Sequence, residues 1–137
     1  MSAPSAKYVI DTHGLKAAFE SSINFVISGL SDNDIEIFRK CGNDFRDAYP
    51  DLNQLLKNLP GRRKYLHLGP EHEASAALLI DKYGSTLLSN KPPTEIFYHL
   101  TLAKAMNYTI LSSGKALKEY RKVIKKCGLP SGLVQEV

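Results

Sequence analysis

The hydrophobic positions of this chain alternate between short runs typical of buried strands and longer stretches with the three-and-four spacing of amphipathic helices. Residues 8–10 form a short apolar run that Asp11 closes, and Leu15, Ala18 and Phe19 follow at helical spacing. This order predicts a strand, a loop and then a helix.

The next segment predicts a second unit of the same kind. Residues 23–27 (INFVI) are a β-prone run that ends before Gly29, and they predict a strand. The stretch SDNDIEIFRK, with Ser31 or Asp32 as its N-cap, predicts a helix that ends or breaks near Gly42.

The remaining pattern continues to alternate strands with helices. Strands are predicted at 65–68 and 109–113, helices at 51–58, 70–83, 95–106 and 115–126, and a final strand or a frayed end at 131–137. Strands that alternate with helices favour an α/β fold, a three-layer sandwich with a mainly parallel central sheet. We expect one domain over residues 1–137, with 1–6 and 131–137 as candidate flexible tails.

Composition narrows the class of protein. A chain of 137 residues with 43% hydrophobic residues and a net charge of +4 can enclose one core, which excludes a wholly disordered chain. No apolar run approaches the roughly 20 residues that span a bilayer, and the start has no secretion signal. We therefore expect a cytoplasmic protein without a membrane segment.

The two cysteines carry no recognisable motif. Cys41 and Cys127 are far apart and lack the CxxC spacing of thiolate metal sites, so neither a disulfide framework nor such a site is predicted. The chain also lacks a glycine-rich phosphate loop and a GxSxG motif, which argues against nucleotide-binding and serine-hydrolase chemistry.

The net positive charge of the chain is concentrated in one segment, residues 115–126, which holds six basic residues and one acidic residue. On a helix, Lys115, Lys118, Lys122 and Lys125 share one face that could hold phosphates, and Arg121 lies beside them. A solvated helix whose other stripe packs inward explains the same pattern. The segment GRRK, with Arg62 and Arg63, adds a second basic spot.

The ends of the predicted strands are where ligands gather in an open parallel sheet. Asp11 directly follows the first strand, while Ser112 and Ser113 close a later one. Carboxylates favour Mg²⁺ or Mn²⁺, which can activate a water for attack on a phosphodiester. A carboxylate at this position therefore predicts metal-assisted chemistry, with a strand-end cap as the alternative role of Asp11.

Three stretches of the chain resemble the PIN-domain family, metal-dependent ribonucleases common among toxins of toxin-antitoxin pairs. YVIDTHGL is similar to the family's first strand with its terminal aspartate, and INFVISGLSDNDIEIF is similar to the second strand and a helix that bears a glutamate. TEIFYHLTLAKAMNYTILSSGKAL resembles the late helix and the strand that follows it.

The resemblance implies a function and a set of residues. Asp11, Glu36 and Glu95 would be the catalytic residues and would hold Mg²⁺ or Mn²⁺. RNA would bind the basic residues, which are Lys115, Lys118, Arg121, Lys122, Lys125, Arg62 and Arg63. The implied partners are RNA, an antitoxin protein and a second copy of the chain.

The chain departs from the family pattern at two positions where the family has an aspartate. Ile96 stands at the first, with Glu95 one residue earlier, and Gly114 follows the serines at the second. These departures leave an alternative function open: a catalytically degenerate PIN-like module that binds nucleic acid or a protein without cleavage.

Overall fold

A computed structural model of the protein describes residues 7–84 and 93–137, and these residues form a five-stranded parallel sheet between two layers of helices. The strands are β1 Lys7–Ile10, β2 Ile35–Phe38, β3 Tyr65–Leu66, β4 Tyr108–Ser112 and β5 Val134–Glu136. Their order across the sheet is β3-β2-β1-β4-β5. The predicted three-layer α/β sandwich is confirmed.

Seven α-helices connect these strands within the described residues. They are α1 Thr12–Glu20, α2 Asn24–Asp32, α3 Arg39–Ala48, α4 Pro50–Lys57, α5 Pro70–Gly84, α6 Thr94–Met106 and α7 Gly114–Cys127. Among these helices none is both long enough and apolar enough to cross a membrane.

Successive residues of the central strands face opposite sides of the sheet, which creates two cores. Val9 and Ile110 join one core with α5, α6 and α7. Ile10 and Leu111 join the other core with α1, α2 and α4. Because both faces are covered, the central strands are apolar on both sides, as the short hydrophobic runs predicted.

The prediction for residues 23–38 is wrong in two places. The stretch INFVI, predicted as a strand, lies mostly in α2, which buries Val26, Gly29 and Leu30 at helical spacing. The stretch IEIF, predicted as a helix, is the fully buried strand β2. Gly29 explains the arrangement, because a Cβ there would lie 2.4 Å from the side chain of Ile35, and only glycine lets α2 approach β2 so closely.

Two smaller predictions concern Gly42 and the end of the chain. Gly42 lies inside α3 and does not end a helix. The chain end is a strand, since β5 pairs with β4 through Ile110 and Val134, and Leu133 and Val134 are buried. Of the two alternatives predicted for 131–137, the final strand is confirmed at Val134–Glu136, and a short 3-10 helix, Ser131–Leu133, precedes it, while residues 1–6 lie outside the described residues.

Candidate functional site

A cavity of about 540 Å³ lies where β1 and β4 end and α6 and α7 begin. Three acidic side chains line it, Asp11, Glu95 and Glu119, together with the lysines Lys115 and Lys122. It occupies the carboxyl edge of the sheet, the usual place for ligand sites in open α/β folds.

Asp11 is the deepest of these acids and is 2% exposed. It follows β1 and caps α1, where its carboxylate accepts a hydrogen bond from the Gly14 N–H at 2.7 Å. Its other oxygen accepts from the Ser112 hydroxyl at 2.7 Å. Burial raises the pKa of Asp11 because it penalises the charged form, and these two hydrogen bonds oppose the rise.

Glu95 reaches the same cavity from the first turn of α6, and its side chain is 37% exposed. Ile96, at the position where the PIN family has an aspartate, is buried beside it. The structure therefore brings Asp11 and Glu95 to one cavity from elements distant in sequence.

Glu119 is a cavity residue that the sequence did not single out. Its Oε2 atom is buried and has no hydrogen-bond partner among the described residues, although the Lys122 ammonium lies 3.9 Å away. It faces the cavity because it lies one helical turn beyond Lys115 and one before Lys122 on α7. This spacing from the two lysines could have identified Glu119 from the sequence.

A cysteine and a histidine complete the lining. Cys41 Sγ lies 3.7 Å from Glu95 Oε1 and 3.8 Å from His99 Nε2, and the Glu95 and His99 atoms are 3.6 Å apart. Burial raises the pKa of the Cys41 thiol, and the nearby charges of Asp11 and Glu95 raise it further. Glu95 and His99 are one helical turn apart, a spacing that could have drawn attention to the pair.

The His99 ring is fixed by two neighbours. It stacks on Phe38 with ring centroids 3.8 Å apart, and its Nδ1 lies 2.6 Å from the Tyr120 hydroxyl. Burial, with the charge of Lys40, lowers the pKa of His99 to about 3, so the imidazole is neutral at physiological pH.

Glu36, the third predicted acid, does not line this cavity. It lies in β2, where its carboxylate accepts a hydrogen bond from the Tyr108 hydroxyl at 2.6 Å and pairs with the Lys7 ammonium at 3.7 Å. Lys7 and Tyr108 begin their strands, so Glu36 faces the amino edge of the sheet. Because IEIF is a strand and not a helix, Glu36 points away from the end of β1.

The predicted basic residues are spread over several surfaces. All five on α7 are exposed, but only Lys115 and Lys122 line the cavity, while Arg121 and Lys125 line a separate depression. The apolar stripe of α7 packs inward, as the sequence also allowed.

The second basic spot lies at the amino edge, before β3. Arg63 is half-buried there, and its guanidinium donates to the backbone carbonyls of Leu30, Leu59 and Pro60. It ties the end of α2 to the turn after α4. Arg62 is exposed on the same turn.

Further cations lie on the other side of Glu95 and His99. A second cavity of about 450 Å³ shares these two residues and is lined by Arg39 and Lys40 at the start of α3. Cationic side chains therefore lie on both sides of Glu95 and His99.

The comparisons with known proteins concern the fold. No family model and no curated protein matches the chain. Among solved structures, it is similar to the crystal structure of PAE2754 from Pyrobaculum aerophilum, with a TM-score of 0.61 over 96% of this chain and 91% of that one. At 12% sequence identity, this likeness shows the fold alone.

Proposed function

We propose that the protein is a metal-dependent endoribonuclease that cleaves RNA at the cavity around Asp11. The observation that carries this proposal is the shared cavity of three carboxylates, Asp11, Glu95 and Glu119, and two lysines, Lys115 and Lys122. Carboxylates attract a divalent cation, while lysines attract phosphate. A phosphodiester and a cation could therefore meet at this position.

The donors in this cavity are compatible with Mg²⁺ or Mn²⁺. Both ions prefer oxygen ligands and keep several waters, so two or three carboxylates suffice. The buried Glu119 Oε2 lacks a hydrogen-bond partner among the described residues and is available as a ligand. The bound ion would lower the pKa of a coordinated water and so supply the nucleophile.

The protein side chains have separate roles in this reaction. Ser112 and the Gly14 amide hold both oxygens of Asp11 in place. Lys115 and Lys122 neutralise the phosphate. Because their charges displace counterions from RNA, binding should weaken steeply with salt.

The distribution of cations supports an extended anionic substrate. Arg39 and Lys40 line one side of Glu95 and His99, while Lys115 and Lys122 line the other. A single-stranded RNA could contact both pairs with successive phosphates. By the resemblance to PIN-domain proteins, we extend the proposal to a cytoplasmic toxin with an antitoxin and a second copy as partners.

The test is cleavage of a labelled single-stranded RNA with Mg²⁺ or Mn²⁺, with and without a chelator. Asp11→Asn should abolish metal-dependent cleavage. Asp47→Asn, the same substitution at an exposed residue of α3 outside both cavities, should cleave as the wild type does. Equal cleavage by the wild type and Asp11→Asn, or none by the wild type, would contradict the proposal.

A second candidate function is binding of RNA without cleavage. It is favoured by the position of Glu36 at the opposite edge and by Ile96 and Gly114 at positions where the family has acids. Fluorescence anisotropy with the same RNA separates the two functions. If the module only binds, Asp11→Asn leaves RNA affinity unchanged and Lys115→Ala with Lys122→Ala weakens it.

A further inference from the structure

Three donor atoms of different chemistry converge between α3 and α6. They are Cys41 Sγ, Glu95 Oε1 and His99 Nε2, and all lie within 4.8 Å of one another. Cys41 and His99 are buried, while Glu95 is half-buried and faces the cavity. A thiol, an imidazole and a carboxylate are the three kinds of side chain that bind zinc in proteins.

The distances between these three donor atoms are close to the distances between ligand atoms in a tetrahedral zinc site. Zinc bonds of about 2.3 Å to sulfur and about 2.0 to 2.2 Å to nitrogen and oxygen place tetrahedral ligand atoms about 3.4 to 3.6 Å apart. The observed separations are 3.7, 3.8 and 3.6 Å. A contraction of a few tenths of an ångström would therefore complete three corners of a tetrahedron.

The orientation of His99 is the second, independent observation. Phe38 stacking and the Tyr120 hydroxyl fix the ring plane, and Nε2 is thereby directed at Cys41 and Glu95. When Nδ1–H donates to Tyr120, Nε2 keeps its lone pair. Histidines that bind metals characteristically make such a hydrogen bond with the other ring nitrogen.

The contacts that His99 Nε2 makes among the described residues are long. Its separation of 3.6 Å from the Glu95 oxygen is longer than a normal hydrogen bond, and its other neighbour is the weakly polar sulfur at 3.8 Å. A ring nitrogen this deeply buried ordinarily has a strong partner. A metal ion would supply one.

We propose that Cys41, Glu95 and His99 form a binding site for a borderline-soft divalent metal ion of the zinc class. Thiolate and imidazole ligands select Zn²⁺ over Mg²⁺, which prefers oxygen. All three residues line the cavity that Lys115 and Lys122 also line, so water or an anion from that cavity could reach a fourth position. Three protein ligands with one open position are typical of catalytic zinc sites.

This inference shares Glu95 with the proposed ribonuclease site, but its test is separate, because zinc uptake is measured without RNA and depends on Cys41, which the proposed cleavage does not use. Binding replaces the S–H bond of Cys41 with a metal–sulfur bond, and the proton is released to solvent. The metal is not reduced or oxidised in this exchange.

The test is titration of the metal-free full chain with Zn²⁺ and with Co²⁺ as a spectroscopic substitute. We expect one ion per chain and a near-ultraviolet charge-transfer band that reports a cobalt–thiolate bond. Cys41→Ser should lose the band. Cys127→Ser, which alters the other buried cysteine at the end of α7, should keep it.

Two further variants keep the test decisive if Cys41→Ser does not fold. Glu95→Gln alters a half-exposed residue and should weaken Zn²⁺ binding while it retains the band. Tyr120→Phe removes the partner of His99 and should weaken Zn²⁺ affinity about tenfold or more. A folded wild-type chain that takes up no Zn²⁺, or a cobalt band that Cys41→Ser retains, would overturn the proposal.

Discussion

Two buried carboxylates lie at opposite edges of the same parallel sheet, and their partners differ in charge. Glu36 at the amino edge has a hydroxyl donor from Tyr108 and the ammonium of Lys7. Asp11 at the carboxyl edge accepts hydrogen bonds from neutral donors, among them Gly14 and Ser112, and it borders a cavity. Glu36 is therefore paired with a cation within the fold, whereas Asp11 borders a cavity that an external cation could enter.

The largest difference between the edges should appear as a pH dependence of stability. His99 at the carboxyl edge has a pKa of about 3 in the folded chain against 6.5 unfolded, so the unfolded state gains a proton first as the pH falls. Between pH 6.5 and about 3, the contribution of His99 should therefore lower the free energy of unfolding by about 1.4 kcal/mol for each pH unit.

Urea titrations across that pH window check this prediction. His99→Gln should have a shallower slope than the wild type by one proton. Equal slopes in His99→Gln and the wild type would contradict it.

The second difference concerns RNA cleavage. Glu95→Gln should lower kcat/KM by about 100-fold, because ligands of a catalytic metal contribute several kcal/mol to the transition state. Glu36→Gln should lower it by less than about twofold, since Glu36 lies outside the cavity. Comparable losses in both variants would show that the two edges do not differ in function.

The third difference is the energetic cost of losing a hydrogen bond at the amino edge. Tyr108→Phe removes the hydroxyl that donates to buried Glu36, and it should lower the free energy of unfolding by about 1 to 2 kcal/mol. Thermal unfolding gives the measurement. In a Glu36→Gln background the cost should shrink, and an unchanged cost would mean that the pair is not coupled.

The smallest predicted effect is an increase in the free energy of unfolding after a substitution at the carboxyl edge. Asp11→Asn should raise the free energy of unfolding at neutral pH by on the order of 1 kcal/mol, because it removes a buried charge and its amide can still bond Gly14 and Ser112. The gain should grow as the pH rises above 3.8, since the folded pKa of Asp11 is raised. A destabilised variant would contradict it.

Local patterns predicted the elements whose signals lie close together in the chain. Helix α7 follows a regular apolar spacing, and α6 and α7 both end at a residue in the left-handed conformation, Asn107 and Gly128. The exchange of strand and helix in residues 23–38 was not predictable in this way. Short apolar runs fit either element, and the close approach of Gly29 to Ile35 becomes visible only in the packed structure.

Some residues of the candidate site were predictable from the sequence, and others were not. Asp11 directly follows a strand, so its position alone suggested it, whereas Glu95 was suggested by the resemblance to the PIN-domain family. Cys41 lies 58 residues from His99 and carries no local motif, so only the tertiary fold reveals that they meet. Glu36 was predicted to join the site because residues 35–38 were interpreted as part of a helix. In the structure they form β2, and Glu36 lies at the amino edge of the sheet.

The short last strand links the end of the chain to the chemistry of the sheet. The Val137 amide donates to the carbonyl of Ser112, whose hydroxyl holds Asp11. Removal of residues 134–137 would expose unpaired backbone N–H and C=O groups of β4, which could then pair with a strand of another molecule. It would also remove the hydrogen bond from Val137 to Ser112, so proteolysis there would promote aggregation and disturb the position of Asp11.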